Sequence, residues 1–289
     1  MARSNSKSRR RWRRPLLILL LLALLLGAGA FYQSNFILFT ESYTFTSSRL
    51  PEAFDGFRIV QLSDLHGAVF GQDNQDLLEA VEAAEPDLIA ITGDIVDRHR
   101  NTPFSYAWEL GAQLAAIAPT YFITGNHEWG IGRVPELKEG LEAAGVTVLS
   151  NQYVALERSG QQIVLAGIDD PNGYADQKTP EELAAEVRST FGEDVFWLLL
   201  AHRNTYFEKQ YSLLGADLVL SGHGHGGLIR LPFTDGLLST ERTLFPSYTS
   251  GFYEANGAQV FISRGIGNSG ISFRLFNPAQ LVVMTLERG

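Results

Sequence analysis

The chain has 289 residues, of which 45% are hydrophobic and 19% charged, and this composition is typical of a folded globular protein with one large core. It contains no cysteine, which excludes disulfides, thiolate metal sites and thiol nucleophiles. The formal net charge is −9, but seven of the 23 basic residues lie in the first 14 positions, which leaves 16 basic against 32 acidic residues in the remainder. Such an acidic body repels phosphate backbones, so we expect no extended nucleic-acid binding.

The chain begins with a basic tail, residues 1–14, followed by an uncharged apolar run at residues 15–32. In length this run lies between a signal-peptide core of ~7 to 15 residues and the ~20 residues of a membrane span. We favour an uncleaved transmembrane anchor over a signal segment cut near Ala28–Ala30. Residues 8–12 partly match a twin-arginine export signal, although a plain topology-setting cluster explains them better. The basic tail predicts a cytoplasmic N-terminus, with the rest of the chain on the extracytoplasmic side.

Residues 33–52 form a predicted connector with strand character, and residues 53–289 form one predicted folded domain. In the first half of this domain, apolar positions three and four apart predict helices, and short apolar runs predict buried strands. The two kinds of element alternate. The predicted strands are 57–62, 87–92 and 120–124, and the predicted helices are 72–85, 105–117 and 135–144.

The second half of the domain is richer in strands. Short strands are predicted within residues 146–168, a helix at 180–190, and further strands at 195–201 and 216–220. The terminal stretch 243–287, with its Gly-rich turns and apolar runs, indicates a second sheet. An α/β half followed by a strand-rich half predicts a layered α/β/β/α sandwich of two mixed sheets, with the helices outside.

Short polar motifs follow the predicted strands, at the edge where the strands of an open α/β sheet bind ligands. Five of the six histidines lie in these motifs. Imidazole nitrogens mixed with carboxylate and amide oxygens are donors that Mn, Fe, Zn or Ni accept. Two residues that are two positions apart, such as Asp64 and His66, point to the same side if the extended conformation continues through them. The candidate metal ligands are Asp64, His66, Asp94, Asn126, His202, His223 and His225.

Three neighbouring residues carry a weaker signal. His99 lies outside the motifs and is interpreted as a solvated loop histidine. Asp97 either supports the site or is an ordinary turn or cap acid, and Glu128 either supports the site or lies on the surface.

Taken together, the motifs resemble the calcineurin-like metallophosphoesterases, and among them the membrane-anchored or exported bacterial YkuE and YaeI group. The resemblance covers nearly the whole chain after the leader and extends to residues 263–270, Arg274 and Pro278. Two positions depart from it. Relatives often carry Pro where this chain has Asn204 and Gln where it has Leu228, which changes the expected loop shape but removes no ligand.

The resemblance implies a calcineurin-like phosphoesterase fold with two divalent metal ions. A hydroxide shared by two metals ~4 Å apart would attack phosphorus without a protein nucleophile. His127 would then donate a proton to the leaving oxygen. By matching motif, the first metal would be held by Asp64, His66 and His225, the second by Asn126, His202 and His223, and Asp94 would bridge the two.

The expected activity is hydrolysis of a phosphate ester, a diester rather than a monoester, on the outer side of the membrane. Because an anchor holds the site near lipid head groups, we expect a phosphodiester or pyrophosphate of an envelope lipid as the substrate. Two alternatives stay open. One is a phosphomonoesterase on soluble substrates, and the other is a noncatalytic envelope module that uses its metals to bind a phosphate ligand.

Overall fold

The computed structural model describes residues 6–173, 177–231, 236–239, 243–270 and 273–289. It begins with a 31-residue helix, α1 (Ser6–Phe36). Within those residues, one helical segment is long and apolar enough to cross a membrane: Pro15–Phe36, with a mean hydropathy of 2.4. Only 6% of its most apolar stretch is buried against the rest of the protein, so its apolar surface is available to lipid.

Twelve strands and five further helices make up the described part of the domain. The strands are β1 (Leu38–Thr46), β2 (Phe57–Leu62), β3 (Leu88–Thr92), β4 (Thr120–Ile123), β5 (Thr147–Val148), β6 (Gln152–Arg158), β7 (Gln161–Gly167), β8 (Trp197–Arg203), β9 (Leu218–Gly222), β10 (Gly251–Ala255), β11 (Ala258–Ile262) and β12 (Ala279–Glu287). The helices are α2 (Gln75–Ala83), α3 (Phe104–Ile117), α4 (Asn126–Ile131), α5 (Val134–Ala143) and α6 (Pro180–Phe191).

The strands form two mixed six-stranded sheets. The first has the order β1-β12-β2-β3-β4-β5, in which β2 to β5 are parallel and β12 runs antiparallel to β2. The second has the order β10-β11-β9-β8-β7-β6, with a parallel centre and an antiparallel hairpin at each edge. The parallel strands of each sheet therefore end together at one edge.

The layers follow from the alternation of side chains along the strands. In β2, Val60 and Leu62 pack beneath α2, α3 and α5, whereas Ile59 faces the second sheet. In β8, Leu198 packs between the sheets and Leu199 packs under α6. The order is helices, sheet, sheet, helix, which confirms the predicted α/β/β/α sandwich.

The last strand belongs to a different sheet from the predicted one. The sequence places residues 281–286 in the second sheet, but β12 pairs with β1 and β2 in the first. An apolar run shows that a strand is buried, not which partner it has, because the pairing is set by contacts far apart in the sequence. Residues 33–52 hold the end of α1 and all of β1, so this segment is part of the first sheet.

Candidate metal centre

The candidate ligands lie at the edge where the parallel strands end. β2 ends at Leu62 and is followed by Ser63-Asp64, and β3 ends at Thr92 and is followed by Gly93-Asp94. The turn after β4 leads directly into α4, whose first residue is Asn126. His202 is in β8, and His223 directly follows β9. Residues up to 161 positions apart in the sequence thus meet at one edge, as predicted.

The backbone at this edge differs from the extended conformation that the sequence analysis assumed. Five of the seven candidate ligands have a positive φ, between 49° and 66°, which is uncommon for residues with a side chain. Each such residue costs on the order of 1–2 kcal/mol, so the surrounding structure must hold the loops in place. These residues are Asp64, His66, Asp94, His223 and His225.

One group of ligand atoms comes from Asp64, His66 and His225, whose atoms all lie within 4.8 Å of one another. His225 Nε2 is 3.3 Å from Asp64 Oδ1 and 3.1 Å from His66 Nε2. Burial lowers the pKa of His66 to about 4 and that of His225 to about 3. Both rings are therefore neutral near pH 7, the form that binds a metal.

A second group joins Asp94, His202 and His223, again within 4.8 Å. His202 Nδ1 lies 2.7 Å from the carbonyl oxygen of Thr92, and its Nε2 faces Asp94 Oδ2 at 3.3 Å. Asp94 Oδ2 is also 3.7 Å from His66 Nε2, so this carboxylate lies between the two groups. Burial alone would lower the pKa of His202, but the charge of Asp94, its hydrogen bond with His202 and the charges of Asp64 and Asp170 together outweigh burial and raise the pKa to about 10. Asp94 thus attracts a positive charge to this point, which a proton or a divalent cation can supply.

The buried polar atoms of the centre fit metal ions. Asn126 Oδ1 and His223 Nε2 are buried and have no hydrogen-bond partner among the residues that the structure describes, and the buried His202 Nε2 faces the carboxylate of Asp94. A buried polar atom without a partner costs about 1–3 kcal/mol, and a bound cation would remove that cost. These three atoms and the shared carboxylate of Asp94 form a candidate divalent-metal site with nitrogen and oxygen donors.

Glycine is required where the loops meet. A Cβ at Gly222 would collide with Ser63 Oγ and the carboxylate of Asp64, and a Cβ at Gly125 would lie 2.7 Å from the backbone nitrogen of Asp94. A side chain at either position would displace a candidate ligand.

His127 lies beside both groups, with its ring centroid 4.5 Å from that of His66. Its Nδ1 accepts a hydrogen bond from the backbone N–H of Arg98 at 3.2 Å and is 3.2 Å from Asp97 Oδ1, and its Nε2 is 3.2 Å from Ser269 Oγ. Burial lowers the pKa of His127, although the charges of Asp94 and Asp97 act against it. Nε2 is therefore the nitrogen that can carry a proton toward the site.

The structure decides the two positions that the sequence left open. Asp97 is fully buried and has both roles: its Oδ1 lies 3.2 Å from His127 Nδ1 and also accepts a hydrogen bond from the backbone N–H of His99 at 2.8 Å, as a turn acid does. Glu128 is fully buried and accepts hydrogen bonds from three backbone N–H groups, those of Asp94 (2.9 Å), Val96 (3.2 Å) and Gly125 (2.6 Å). Burial raises the pKa of Glu128 to about 8 and the charge of Asp94 adds to this, while the backbone hydrogen bonds of Gly125 and Val96 lower it. Glu128 thus ties together the loops that carry Asp94 and Asn126.

The remaining positions also have defined places. His99 is exposed, as predicted, and its ring centroid is 5.5 Å from that of His127. Asn204 is buried, and its Nδ2 donates to the carbonyl of Tyr248 at 2.7 Å, which shows how this chain fills the position where relatives often have proline. Leu228 is half-buried, and its backbone N–H donates to the carbonyl of Leu238 at 2.7 Å.

Sequence reasoning missed a set of contacts behind His225. Arg274 is fully buried, with Nη2 3.1 Å from His225 Nδ1 and donating to the carbonyl of Gly267 at 2.6 Å. Its backbone N–H donates to Asn35 Oδ1 at 3.1 Å, and Asn35 lies at the end of α1. The resemblance of the terminal stretch was the one sequence signal for Arg274, and nothing local marks Asn35.

Buried histidines, aspartates and an asparagine that converge at the carboxyl edge of a two-sheet sandwich define the class of metal-dependent hydrolases. The family model of the calcineurin-like phosphoesterases matches residues 57–227. The chain therefore belongs to the calcineurin-like phosphoesterase family and is a metal-dependent phosphoester hydrolase.

Individual relatives agree with this family. The metallophosphoesterase YkuE of Bacillus subtilis is 30% identical over 281 residues, which cover 92% of each chain. A transmembrane protein with a metallophosphoesterase domain from Danio rerio is 31% identical over 252 residues, 83% of this chain and 55% of the relative. Among solved structures, a dimetal phosphatase from Danio rerio has a TM-score of 0.47 at 14% identity, covering 73% of this chain and 88% of that one.

Proposed function

We propose that the chain is a dinuclear phosphodiesterase, with one metal held by Asp64, His66 and His225, the other by Asn126, His202 and His223, and Asp94 shared between them. The observation that carries this proposal is the position of Asp94, whose Oδ2 lies 3.7 Å from His66 Nε2 and 3.3 Å from His202 Nε2. One carboxylate between two ligand groups is the arrangement expected of a bridging ligand.

When bound, two divalent ions would polarise the phosphoryl oxygens and supply a deprotonated water as the nucleophile. The residues of the chain do the rest. The donor atoms fix where the phosphate binds, and His127 Nε2 carries the proton that the leaving oxygen receives. Asp97, 3.2 Å from His127 Nδ1, holds the ring in position. In the cationic form that donates the proton, Nδ1 is protonated and faces Asp97 instead of accepting from the backbone N–H of Arg98, and the carboxylate stabilises this form. We propose a diester rather than a monoester as the substrate, and the comparison of two chromogenic esters distinguishes the two classes.

Turnover of chromogenic esters tests this proposal. The full chain in detergent, freed of metal and then supplied with Mn²⁺, is assayed with bis(p-nitrophenyl) phosphate and p-nitrophenyl phosphate. We expect metal-dependent hydrolysis that favours the diester and persists in His99→Ala, the exposed neighbouring histidine. Because nitrophenolate leaves with little need of a proton, the loss in His127→Ala is expected to be small for these esters and about 10²-fold or more for a dialkyl phosphate, whose leaving alkoxide needs the proton. A preference for the monoester would favour the phosphomonoesterase, and no turnover despite bound metal would favour the noncatalytic module.

We further propose an uncleaved anchor at residues 15–32, a cytoplasmic tail at 1–14 and a catalytic domain on the extracytoplasmic side. The apolar helix and the relative that is named a transmembrane protein support membrane attachment. The arginine-rich end supports the orientation. Because the chain has no cysteine, a single Glu157→Cys reports its side of the membrane. We expect an impermeant maleimide to label the cysteine at position 157 in intact cells. Labelling that occurs only after lysis would indicate the opposite orientation, with the domain in the cytoplasm.

A further inference from the structure

The sheet register places the end of the anchor helix at the edge that carries the candidate metal centre. β1 begins two residues after α1 and pairs in parallel with β12, Leu38 opposite Ala279. β12 is antiparallel to β2, with Val282 opposite Gln61. Three residues before Val282 is Ala279, and three residues after Gln61 is Asp64, so Ala279 is level with Asp64. Neighbouring strands are about 4.8 Å apart, and the start of β1 therefore lies about 10 Å from Asp64 across two strands.

The helix end is fastened to the loops behind His225. Asn35 Nδ2 donates to the carbonyl of Arg274 at 2.8 Å, and Asn35 Oδ1 accepts from the backbone N–H of Arg274 at 3.1 Å and from Asn268 Nδ2 at 3.2 Å. Ser34 Oγ accepts from the backbone N–H of Asn277 at 3.1 Å. These bonds fix the direction in which the anchor leaves the domain, so the domain does not swing freely above the bilayer.

A cavity of about 320 Å³ opens between the helix end and the loop that follows the first ligands. Its wall at residues 266–268 is also a wall of the metal centre, because the backbone N–H of Gly267 donates to the carbonyl of Asp64 at 2.8 Å. The next residue, Ser269, lies 3.2 Å from His127 Nε2. The cavity is amphipathic: one side is apolar and the other polar. The residues that show this are Phe31, Phe36, Val69 and Phe70 on the apolar side, and Asn35, Asp76, Arg100 and Asn268 on the polar side.

The apolar side of the cavity is at the depth of the membrane surface. Pro15–Phe36 has 22 residues, so at ~1.5 Å per residue it spans about 33 Å, close to the ~30 Å of a hydrocarbon core. Its last turns therefore emerge at the lipid head groups, where aromatic residues are enriched. Phe36 and Val69 are 61% and 56% exposed, and the rings of Phe31 and Phe273 are 6.0 Å apart. These exposed apolar groups rim the mouth of the cavity.

The geometry points to this cavity as the entrance for a membrane phospholipid, whose acyl chains enter past Phe36 and Val69 while its phosphate passes Arg100 to the metal centre. This inference rests on the proposed phosphodiesterase activity and narrows its substrate class to an ester that stays in the leaflet in which the anchor ends. A bilayer is the occupant because the anchor itself carries the cavity mouth to the membrane surface. The guanidinium of Arg100 lies at the polar end with its Nε 3.5 Å from Asp97 Oδ2, so a phosphate there would share this guanidinium with Asp97.

Lipid contact is tested without any turnover. The chain has no cysteine, so Val69→Cys and the control Glu157→Cys each accept a single environment-sensitive fluorophore. Glu157 is near the end of β6, which pairs with the start of β7. The candidate metal centre lies where the parallel strands end, so Glu157 is at the opposite end of the second sheet. The full chain is reconstituted in phosphatidylethanolamine and phosphatidylglycerol vesicles that contain doxyl-labelled acyl chains. The label at 69 is expected to lose most of its fluorescence and the label at 157 none. Equal fluorescence loss at both positions, or none at 69, would overturn the entrance.

Use of the cavity is tested with two esters that share one reacting bond. Hexadecyl 4-nitrophenyl phosphate in the same vesicles is compared with ethyl 4-nitrophenyl phosphate in solution. Val69→Asp is expected to lower the ratio of the two kcat/KM values by about 10-fold, the equivalent of about two buried methylene groups. The control Leu213→Asp, at a residue 65% exposed on the outer face of the second sheet, leaves the ratio unchanged.

The outcomes separate this inference from the proposed function. If the ratio of the two kcat/KM values is unchanged in Val69→Asp, or changes equally in Leu213→Asp, the proposed lipid entrance is contradicted. Hydrolysis of the ethyl ester would still support the proposed phosphodiesterase activity. If the wild type hydrolyses neither ester but the label at 69 is quenched, the phosphodiesterase proposal fails and the lipid contact is retained.

Discussion

Glu128 provides the sharpest test of how the candidate metal centre is held together. Its carboxylate is fully buried and accepts three backbone hydrogen bonds, two at Oε2 from Asp94 and Gly125 and one at Oε1 from Val96. Glu128→Ala would leave three buried N–H groups without an acceptor. At ~1 kcal/mol or more for each, the free energy of unfolding is expected to fall by about 3 kcal/mol, a large share of the roughly 5–15 kcal/mol of a typical domain.

Glu128→Gln separates the hydrogen bonds from the volume of the side chain. The amide oxygen can take the place of Oε2 and keep both of its bonds, but the NH₂ group cannot accept from Val96. We therefore expect a loss of about 1 kcal/mol, one third of that in the alanine variant. Glu136→Ala is the matched control, because Glu136 is 45% exposed on α5 and pairs with Arg133 at the surface. Its effect is expected to stay within about 0.5 kcal/mol.

Urea unfolding of the full chain in detergent, followed by tryptophan fluorescence, measures all three variants. A graded loss from Glu128→Ala to Glu128→Gln to Glu136→Ala supports the reasoning. A loss below about 1 kcal/mol in Glu128→Ala would show that water satisfies the three N–H groups, and equal losses in the alanine and glutamine variants would show that packing dominates.

Three further predictions follow from other contacts. Gly125→Ala is expected to displace Asp94 and lower the bound metal measured by mass spectrometry, whereas Gly111→Ala, whose new Cβ would be 3.0 Å from Val146 Cγ2, keeps the metal. Chelation of the metals is expected to lower the thermal midpoint, and an unchanged midpoint would mean that metal binding is not linked to folding. Burial raises the pKa of Glu41, but the hydrogen bonds with Arg264, Tyr43 and Gln280 and the charge of Arg264 together outweigh burial and lower the pKa. The stability lost in Glu41→Gln at pH 7 is therefore expected to shrink as the pH falls below about 4.5 and through the folded pKa, and a pH-independent difference in urea midpoints would contradict this.

Most of the site could be predicted from the sequence because its residues follow buried strands. An apolar run such as residues 87–92 marks a strand by itself, and the polar residue after it then falls at the sheet edge. Asp94 is one example, since it comes just after the predicted strand 87–92. The other candidate ligands at this edge follow other predicted strands in the same way. The backbone conformation could not be predicted in this way. The positive φ of Asp64 and His66 is imposed by long-range contacts, among them the hydrogen bond from the backbone N–H of His66 to the carbonyl of Asp94 at 2.9 Å.

The link between the anchor and the site was not predictable for the same reason. Asn35 and Arg274 are 239 positions apart, and they meet because β1 and β12 pair in parallel at the site edge. No local pattern encodes that pairing. An asparagine at the end of an apolar helix indicates only a polar boundary, and its hydrogen-bond partner is known once the strands are paired.

This link makes a prediction about where the chain can be cut. Cleavage after Ala30 would leave Ser34 and Asn35 in place, whereas a chain that begins at Ile37 loses all of their hydrogen bonds to Arg274, Asn268 and Asn277. Four bonds at roughly 0.5–1.5 kcal/mol each give an expected loss of about 2–6 kcal/mol relative to the chain that begins at Phe31. The metal content is expected to fall as well, because Arg274 packs against His225.

Urea unfolding and metal analysis of the two shortened chains measure this difference, and Asn35→Ala in the full chain should change stability in the same direction. If both shortened chains were equally stable and equally loaded with metal, the loops behind His225 would be fixed by the domain alone. The end of the anchor would then serve only to hold the protein at the membrane. If they differ as expected, the last turn of the anchor is a structural part of the metal centre, and removing the whole leader to obtain a soluble enzyme would itself impair the site.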